Sequence, residues 1–462
     1  MKSNTFATAA AFLATLALVR AAAPKCSPSS PCPSDAPCCS QYGQCGVGAY
    51  CLGGCDPMSS HSLQSCVAAP VCQSKDYKLD SLDDIMPNTK YLGDASTANW
   101  VSSGTAVAYN GDSVLLTMAP STVGTLLTST HYVWYGKISA TMTSSRGQGV
   151  VTAFILMSDV KDEIDFEFVG DDVTKAQSNY YYQGITDYEN MIPLDVSDTQ
   201  VNVHTYTIDW TPDKVTWSID GNEMRTLNRD DTWNATTGSY HFPQTPSRVQ
   251  LSLWPAGLSS NGEGTIDWAG GLVDWDSQYM QNGYYYSMVS DVSVECYDPP
   301  SGFSGNTGGS AYYYTGGEFT NNTVAMGNNN TVLASLMATG ENPDFGKPEP
   351  SSDSSSTKTQ SAAQMTNTPE SVPGVTGGGN VASSGNAPVD TSGDSSSSSG
   401  SDSSSGSGSS SSSSGAGSGS GFSQGGSSSS GSDASTGEAP RTTIATSSAV
   451  ALLGFFIAAL VL

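Results

Sequence analysis

The chain has 462 residues and a formal net charge of −26 at pH 7, from 43 acidic and 17 basic side chains. This charge argues against a nucleic-acid-binding protein, because contacts to phosphates need a basic surface. Hydrophobic residues make up 37% of the chain, below the roughly 45–50% of an ordinary globular protein. We therefore expect part of the chain to stay unpacked.

The N-terminus has the features of a secretory signal peptide. An apolar run from Phe6 to Val19 follows Lys2 and precedes three alanines that begin at Ala21. The run is shorter than the roughly 17–25 residues that a membrane-spanning helix needs. A basic start, a short apolar run and small residues at its end are typical of a cleaved signal. We predict that residues 1–21 are removed, with cleavage after Ala21.

The next segment is rich in cysteine. Nine of the ten cysteines lie between Cys26 and Cys72, and the tenth is Cys296. Residues 26–72 contain little apolar sequence, so this unit cannot bury a core and must be held by disulfides. Disulfides persist in oxidising compartments, which predicts an extracellular protein.

The segment from Cys38 to Cys51 contains the run CCSQYGQCG followed by YC. It is similar to the hevein-like chitin-binding fold, carbohydrate-binding module family 18. The resemblance implies that Ser40, Tyr42 and Tyr50 contact acetylglucosamine, with the rings stacked on sugar faces. Gln44 stands where that family usually has another aromatic residue, which predicts weak or altered sugar binding. A disulfide-bonded spacer is the alternative.

The same resemblance implies a disulfide pattern for six of the cysteines. The expected pairs are Cys26–Cys39, Cys32–Cys45 and Cys38–Cys51. Four cysteines remain, and they allow three connectivities. These four are Cys55, Cys66, Cys72 and Cys296.

Residues 73–298 have the pattern of a β-domain. Apolar and polar residues alternate with a period of two, as in Thr205–Trp210 and Val249–Trp254. Turn residues at Pro212-Asp213 and Asp220-Gly221 predict consecutive antiparallel strands over 204–227. Many short strands and no convincing long helix favour an all-β, two-sheet sandwich of the jelly-roll type.

One predicted strand, Asp162–Phe168, carries three acids at alternate positions. Alternate side chains share a face, so Glu163, Asp165 and Glu167 would line one surface. The intervening Ile164, Phe166 and Phe168 would point into the core. No lysine or arginine interleaves with the acids to balance their charge, which argues against the alternative, a merely solvated acidic face.

Such a set of carboxylates is typical of a retaining glycosidase, in which one acid attacks the anomeric carbon and another protonates the leaving oxygen. The two groups must lie ~5–5.5 Å apart, whereas residues four apart on a flat strand are separated by about 13 Å. The motif therefore also predicts a bent, concave sheet. The middle acid, Asp165, can hydrogen-bond the nucleophile and help to separate the two pKa values.

The run Glu163–Glu167 resembles the catalytic strand of glycoside hydrolase family 16, and the longer segment 154–170 resembles its fungal Crh branch. Segments 204–213 and 252–257 match as well, so the likeness covers most of residues 76–298. The family implies a curved jelly roll with Glu163 as nucleophile, Asp165 as its helper and Glu167 as acid/base. The Crh branch implies transglycosylases that join chitin to β-glucan in the fungal cell wall.

Four further residues are candidates for contacts with the substrate: Trp254, His204, Tyr181 and Asn179. Trp254 lies at a strand end before Pro and Gly, where an indole can face a sugar ring, and core packing is the alternative. His204 is equally compatible with a structural role. None of the four histidines has zinc-site spacing, and we expect neither a metal nor a cofactor.

Beyond residue 298 the sequence changes to a stalk, predicted over 299–437. Ser and Gly supply 38 of the 47 residues from Thr391 to Gly437, a composition that cannot offset its ordering entropy. The N-glycosylation sequons at Asn234, Asn321 and Asn329 agree with passage through the secretory route.

The C-terminus, residues 438–462, has the order of a GPI-attachment signal. A polar spacer precedes an apolar run, and small residues before them offer Ser435 or Gly437 as the attachment site. A short single-pass anchor is the alternative, but the apolar run is too short to span a bilayer.

The predicted partners are thus chitin and β-glucan, with the membrane contacted only through a GPI lipid, at the outer face of the plasma membrane and in the cell wall. A plain retaining endo-glycosidase, either chitinase or β-glucanase, is the nearest alternative. A non-catalytic wall lectin or a structural mannoprotein would not need the three acids.

Overall fold

The structure is a computed structural model, and it describes residues 23–300, 303 and 308–347. The predicted signal peptide, the C-terminal attachment signal and both candidate attachment residues lie outside the described residues. Among the residues that are described, no helix is long and apolar enough to cross a membrane.

The described chain forms short strands throughout, with one α-helix, α1, at Glu263–Trp268. The first eight strands are β1 Cys38–Cys39, β2 Cys45–Gly46, β3 Ala69–Pro70, β4 Lys75–Lys78, β5 Ile85–Pro87, β6 Trp100–Ser103, β7 Ala106–Tyr109 and β8 Ser113–Met118. The next eight are β9 Thr125–Val133, β10 Gly136–Met142, β11 Val150–Ser158, β12 Glu163–Val169, β13 Lys175–Tyr181, β14 Ile192–Asp195, β15 His204–Trp210 and β16 Lys214–Ile219. The last are β17 Asn222–Asn228, β18 Trp233–Asn234, β19 Ser239–Tyr240, β20 Ser247–Pro255, β21 Tyr285–Cys296, β22 Ala311–Tyr314 and β23 Val324–Gly327.

Two eight-stranded sheets make up the body of the protein, which confirms the predicted all-β sandwich. Sheet A has the order β17-β16-β15-β10-β21-β8-β7, with β4 also paired to β21. Sheet B has the order β14-β13-β12-β11-β20-β9-β6-β5. A register shift between Arg248 and Gln250, where β20 pairs with β9, is an irregularity that bends a strand pair.

The core between the sheets contains the apolar residues of the acidic strand. Ile164, Phe166 and Phe168 are buried there, as the alternation predicts. The Phe168 ring meets Tyr206 of sheet A at a centroid distance of 4.6 Å. Trp217 of sheet A donates its indole N–H to the backbone oxygen of Asp165 at 2.9 Å. These contacts fix β12 against the opposite sheet.

The cysteine-rich module contains β1, β2 and a 3₁₀ turn at Gly48–Cys51. The structure pairs six cysteines as the hevein resemblance implies, in Cys26–Cys39, Cys32–Cys45 and Cys38–Cys51. The pairs that the sequence left open are Cys55–Cys66, within the module, and Cys72–Cys296, which ties its end to β21.

The prediction that the stalk begins at residue 299 is wrong for residues 308–347. Strands β22 and β23 pair with each other, and β22 also pairs with β3 in a three-stranded sheet. Ala311 and Val324 are buried, so this segment buries apolar side chains that the serine- and glycine-rich tract beyond it lacks. The segment also contacts the module, since Gly48 N donates to the Ala338 carbonyl at 2.8 Å.

Candidate active site

The three acids of β12, hereafter the acid row, lie on the outer face of sheet B, turned away from the core. In antiparallel strands directly opposed residues present their side chains on one face. The acid row Glu163, Asp165, Glu167 is opposed on β11 by Met157, Ile155, Ala153, and these are opposed on β20 by Arg248, Gln250, Ser252. The last three residues are called the β20 row below. Sheet B thus presents two polar rows with an apolar row between them.

Burial differs along the acid row. Asp165 is fully buried, whereas Glu163 and Glu167 are partly exposed. Burial raises the pKa of all three carboxyl groups, and for Asp165 the charges of Glu167 and Glu163 raise it further. Because like charges oppose one another at short range, the three acids cannot all be ionised near neutral pH.

The middle acid, Asp165, is the member of the row best suited to keep its proton. Burial and then the charges of Glu167 and Glu163 raise its pKa well above the ordinary value. Among the described residues neither of its carboxyl oxygens has a hydrogen-bond partner that would stabilise the ionised form. The Asp165 side chain in turn lowers the pKa of Glu163, against the effects of burial and of the Glu167 charge. These effects favour a neutral Asp165.

Two predicted substrate contacts lie beside the acid row. On β13, Tyr181 is opposed to Glu163 and Asn179 to Asp165. Burial raises the pKa of the Tyr181 hydroxyl, and the Asn179 side chain offsets part of that rise. The Oδ1 atom of Asn179 is buried and has no hydrogen-bond partner among the described residues, so it can accept a hydrogen bond from a ligand.

Sequence reasoning missed Gln177 and Trp268, at the other end of the row. Gln177 is opposed to Glu167, and its Oε1 accepts the indole N–H of Trp268 at 2.8 Å. Trp268 ends α1 and stacks on Trp254 with a centroid distance of 6.1 Å and an interplanar angle of 27°. Trp254 is opposed to Val151 and thus faces the same side as the acid row, but it is 6% exposed. Of the two indoles, Trp268 is the more exposed.

The position of the acid row is also set by a neighbouring acid, Asp162. Its carboxylate accepts hydrogen bonds from Gln183 N at 2.9 Å, Gln244 N at 2.9 Å, Thr245 N at 3.1 Å and the Thr245 hydroxyl at 2.6 Å. These four bonds join the start of β12 to two loops. The hydrogen bonds of Asp162 therefore indicate a structural role. The carboxyl oxygens of Asp165, three residues further on, have no hydrogen-bond partner among the described residues.

The candidate contact of His204 with substrate is wrong in this structure. His204 lies in β15 of sheet A and shares the side of Tyr206, which packs in the core. Its Nδ1 meets Asp220 Oδ2 at 2.7 Å and its Nε2 meets Ser197 Oγ at 2.8 Å. Both ring nitrogens are therefore used, at a position on the opposite sheet from the acid row.

The expected sugar-stacking surface of the module is also wrong. Ser40, Tyr42 and Tyr50 are 2%, 9% and 2% exposed, so they do not form the open stacking surface that the resemblance implies. Ser40 and Tyr42 line a space between the module and sheet B. Gln44 is fully buried, so an aromatic residue there would have to displace its neighbours. The module buries these side chains because it packs against the body of the protein.

The asparagines of the three sequons differ in their exposure to solvent. Asn329 is exposed, while Asn234 and Asn321 are half-buried. The Asn234 Oδ1 atom accepts hydrogen bonds from the backbone N–H groups of Thr236 and Thr237. Glycosylation of all three remains a prediction.

The sequence of this chain is similar to that of known proteins. Residues 94–270 match the family described as Glycosyl hydrolases family 16. The chain is 58% identical over 331 residues to Crh-like protein 3 of Botryotinia fuckeliana, an alignment that covers 71% of this chain and 74% of the relative. It is 54% identical over 342 residues to Crh-like protein 2 of Aspergillus fumigatus, which covers 72% and 77%. A solved structure titled "Crh5 transglycosylase in complex with NAG" is 30% identical, with a TM-score of 0.47, and covers 59% of this chain and 99% of that one.

Proposed function

The chain belongs to the Crh-like branch of glycoside hydrolase family 16, and from this premise we propose that it is a retaining cell-wall transglycosylase. It cleaves β-1,4-linked acetylglucosamine chains and transfers them to β-glucan. The observation that carries the proposal is the acid row, in which two partly exposed glutamates flank a buried aspartic acid whose pKa is raised well above its ordinary value. Such an arrangement equips one strand with both a nucleophile and a proton donor.

We assign the roles by resemblance to the catalytic strand of the family, with Glu163 as nucleophile and Glu167 as acid/base. The Asp165 side chain lowers the pKa of Glu163 against burial and the Glu167 charge, which favours the ionised form that a nucleophile needs. Burial raises the pKa of Glu167, which helps a general acid to keep its proton. Asp165 positions Glu163 and holds a proton that does not leave during the reaction.

The reaction proceeds in two displacements. Glu163 attacks the anomeric carbon as Glu167 gives its proton to the leaving glycosidic oxygen, so a glycosyl ester forms and one saccharide departs. Glu167 then takes the proton of an incoming hydroxyl group as that oxygen displaces Glu163. Two inversions give net retention, and the enzyme returns to its first protonation state.

The incoming hydroxyl belongs to water in hydrolysis and to a glucan in transfer. Water at about 55 M has an advantage of only about 2–3 kcal/mol over a 1 M competitor. A bound acceptor held in attack geometry can gain ~7–11 kcal/mol from positioning. Asn179 Oδ1, buried and unpaired beside the acid row, offers one acceptor for a sugar hydroxyl. Transfer is therefore the expected outcome when the acceptor is saturating.

The location of the protein supports this substrate class. A chain with five disulfides in this family is secreted. We place it at the outer face of the plasma membrane and in the cell wall, held by a GPI lipid on Ser435 or Gly437. Phosphatidylinositol-specific phospholipase should release the membrane-bound protein, and a mature protein that still carries Leu462 would contradict the anchor.

The test of function is incubation of the purified secreted protein with a chitin oligosaccharide and a labelled glucan oligosaccharide, followed by mass analysis. Hybrid products should exceed hydrolytic ones at saturating acceptor. A plain retaining endo-glycosidase is the second candidate, because the same acid row serves hydrolysis. Hydrolysis with every acceptor tried would favour it, and binding without turnover would favour a lectin.

A further inference from the structure

The N-terminal module contacts the same face of sheet B that carries the acid row. Gln41 Oε1 accepts hydrogen bonds from Arg248 Nη2 at 3.2 Å and from Gln250 Nε2 at 3.3 Å. Both donors belong to the β20 row. Gly53 and Gly54 pack so closely on the Arg248 guanidinium that a Cβ atom on either would lie within 2.7 Å of its nitrogens. The module therefore encloses the end of this side chain.

Further contacts hold the module in this position. Gly54 N donates to Asp159 Oδ1 at 2.8 Å, and Asp56 is paired with Lys161 at 3.4 Å. Asp159 and Lys161 belong to the turn that leads into Glu163. On the other side of the module, the hydroxyl of Ser62 donates to Glu341 Oε1 at 2.6 Å. The module is thus fixed between sheet B and the segment that follows β23.

The acid row lies only two strands away from the β20 row, which contacts Gln41. The β20 row is two strands from β12, which corresponds to about 10 Å at the usual strand spacing. A saccharide that lies across the strands from the acid row towards β20 meets Gln41 there.

The β20 row also has unused hydrogen-bonding capacity. Gln250 is fully buried and Ser252 is 4% exposed, yet Gln250 Oε1 and Ser252 Oγ have no partner among the described residues. Gln250 is oriented by its bond to Gln41, which leaves Oε1 to accept from a ligand. Hydroxyl and acetamido groups of a saccharide can supply those bonds.

We propose that the module forms the end wall of the saccharide cleft on the β20 side, with Gln41 as the residue that limits how many sugars bind there. The inference rests on the proposed function, because it assigns one end of the same cleft. The module thereby limits the number of sugar residues that fit in the cleft. It does not serve as a separate polymer-binding unit.

The test uses the full secreted chain with chitin oligosaccharides of graded length as donors and one labelled glucan acceptor. For the wild type, kcat/KM should stop rising once the β20 side is filled. Gln41→Ala should let it rise further, with a ratio for long over short donors about fivefold above wild type, the value of one additional hydrogen bond. Products should carry correspondingly longer segments on that side.

Two companion variants keep the result interpretable. Asp35→Ala changes an exposed residue of the module and should match wild type. Gln41→Asn keeps the amide on a shorter side chain, should give an intermediate ratio, and decides the question if Gln41→Ala does not fold. An active Gln41 variant with the wild-type ratio overturns this inference alone. Absence of product from wild type with every donor overturns the proposed function as well.

Discussion

The outer faces of the two sheets differ in whether their polar side chains are hydrogen-bonded. On sheet A, hydroxyl groups pair across neighbouring strands, Ser139 with Thr207 at 2.8 Å and Thr141 with Thr205 at 3.0 Å. On sheet B, both carboxyl oxygens of Asp165 and the Oδ1 atom of Asn179 are buried and have no hydrogen-bond donor in the described part of the chain. The strand alternation is the same in both sheets, so the difference lies in whether the polar groups are satisfied.

This difference distinguishes a sheet face with a structural role from one that can bind a ligand. Buried polar groups in folded proteins are normally hydrogen-bonded, because an unpaired one costs about 1–3 kcal/mol. A face that keeps several unpaired groups lowers stability unless a ligand completes them. The paired hydroxyls of sheet A need no ligand, whereas the acid row and its neighbours do.

The same contrast occurs within four residues of the chain. Asp162 and Asp165 are both fully buried, but Asp162 accepts four hydrogen bonds, while the carboxyl oxygens of Asp165 have no hydrogen-bond partner among the described residues. Substitutions at these positions should therefore affect different quantities, stability for the first and catalysis for the second.

The largest expected effect is loss of turnover when a glutamate of the acid row is changed. Glu163→Gln and Glu167→Gln should each lower kcat by about 10²–10⁴-fold, because each removes a group that exchanges a proton or a bond with the substrate. Thermal unfolding should stay close to wild type.

A donor with a good leaving group distinguishes the two roles. It needs no proton in the first step, so Glu167→Gln should still form the glycosyl ester, which mass analysis of the protein detects. Glu163→Gln should form none. Near-normal transfer by Glu163→Gln would show that the nucleophile is misassigned.

A smaller effect is expected for Asp165→Asn. An asparagine amide can still donate to Glu163, so kcat should fall only about tenfold, which corresponds to about 1.4 kcal/mol in the transition state.

The pH profile of this variant tests the proton on Asp165. Burial raises the pKa of Glu163 and Glu167, so both limbs of the kcat/KM profile should lie above the ordinary glutamate value of about 4.3. The two glutamates titrate as a coupled pair, so activity should appear as the pair loses its first proton and disappear at higher pH as it loses the second. If Asp165 is neutral in wild type, the neutral Asn should shift neither limb by more than about half a unit. A downward shift of a whole unit would indicate that Asp165 is ionised.

The sequence could predict the acid row and its orientation because both depend on a local period of two. Ile164, Phe166 and Phe168 need only alternate with the acids to place them on the outer face. The all-β class follows from the same periodicity.

Other features depend on contacts between distant residues, which no local pattern encodes. Gln41 meets Arg248 across more than two hundred residues, and this packing buries Tyr42 and Tyr50, which a resemblance to an isolated module leaves exposed. The two partners of His204, Ser197 and Asp220, likewise occur outside its strand. The predicted boundary of the stalk is wrong because aromatic residues become sparse beyond residue 298, although β22 still pairs with β3.

A moderate effect on stability, with little on the intrinsic chemistry, is expected for Asp162→Asn. The amide nitrogen would face N–H donors that now meet a carboxylate oxygen, so the free energy of unfolding should fall by about 2–3 kcal/mol. Chemical denaturation of this variant beside Asp165→Asn measures the contrast. Equal destabilisation by the two substitutions would remove the distinction between the satisfied and the unsatisfied acid.

The smallest effect is expected on sheet A, for Thr141→Val. Valine keeps the β-branched shape that suits a strand, and the hydroxyl of Thr205 that loses its partner is only half-buried, so water can replace the bond at 3.0 Å. The free energy of unfolding should change by less than about 0.5 kcal/mol, and kcat/KM for transfer should equal that of wild type. A several-fold loss of kcat/KM without loss of stability would mean that the outer face of sheet A takes part in binding the polysaccharide. The contrast between the two faces would then be one of degree, and the unpaired groups of sheet B would no longer mark the sole binding face.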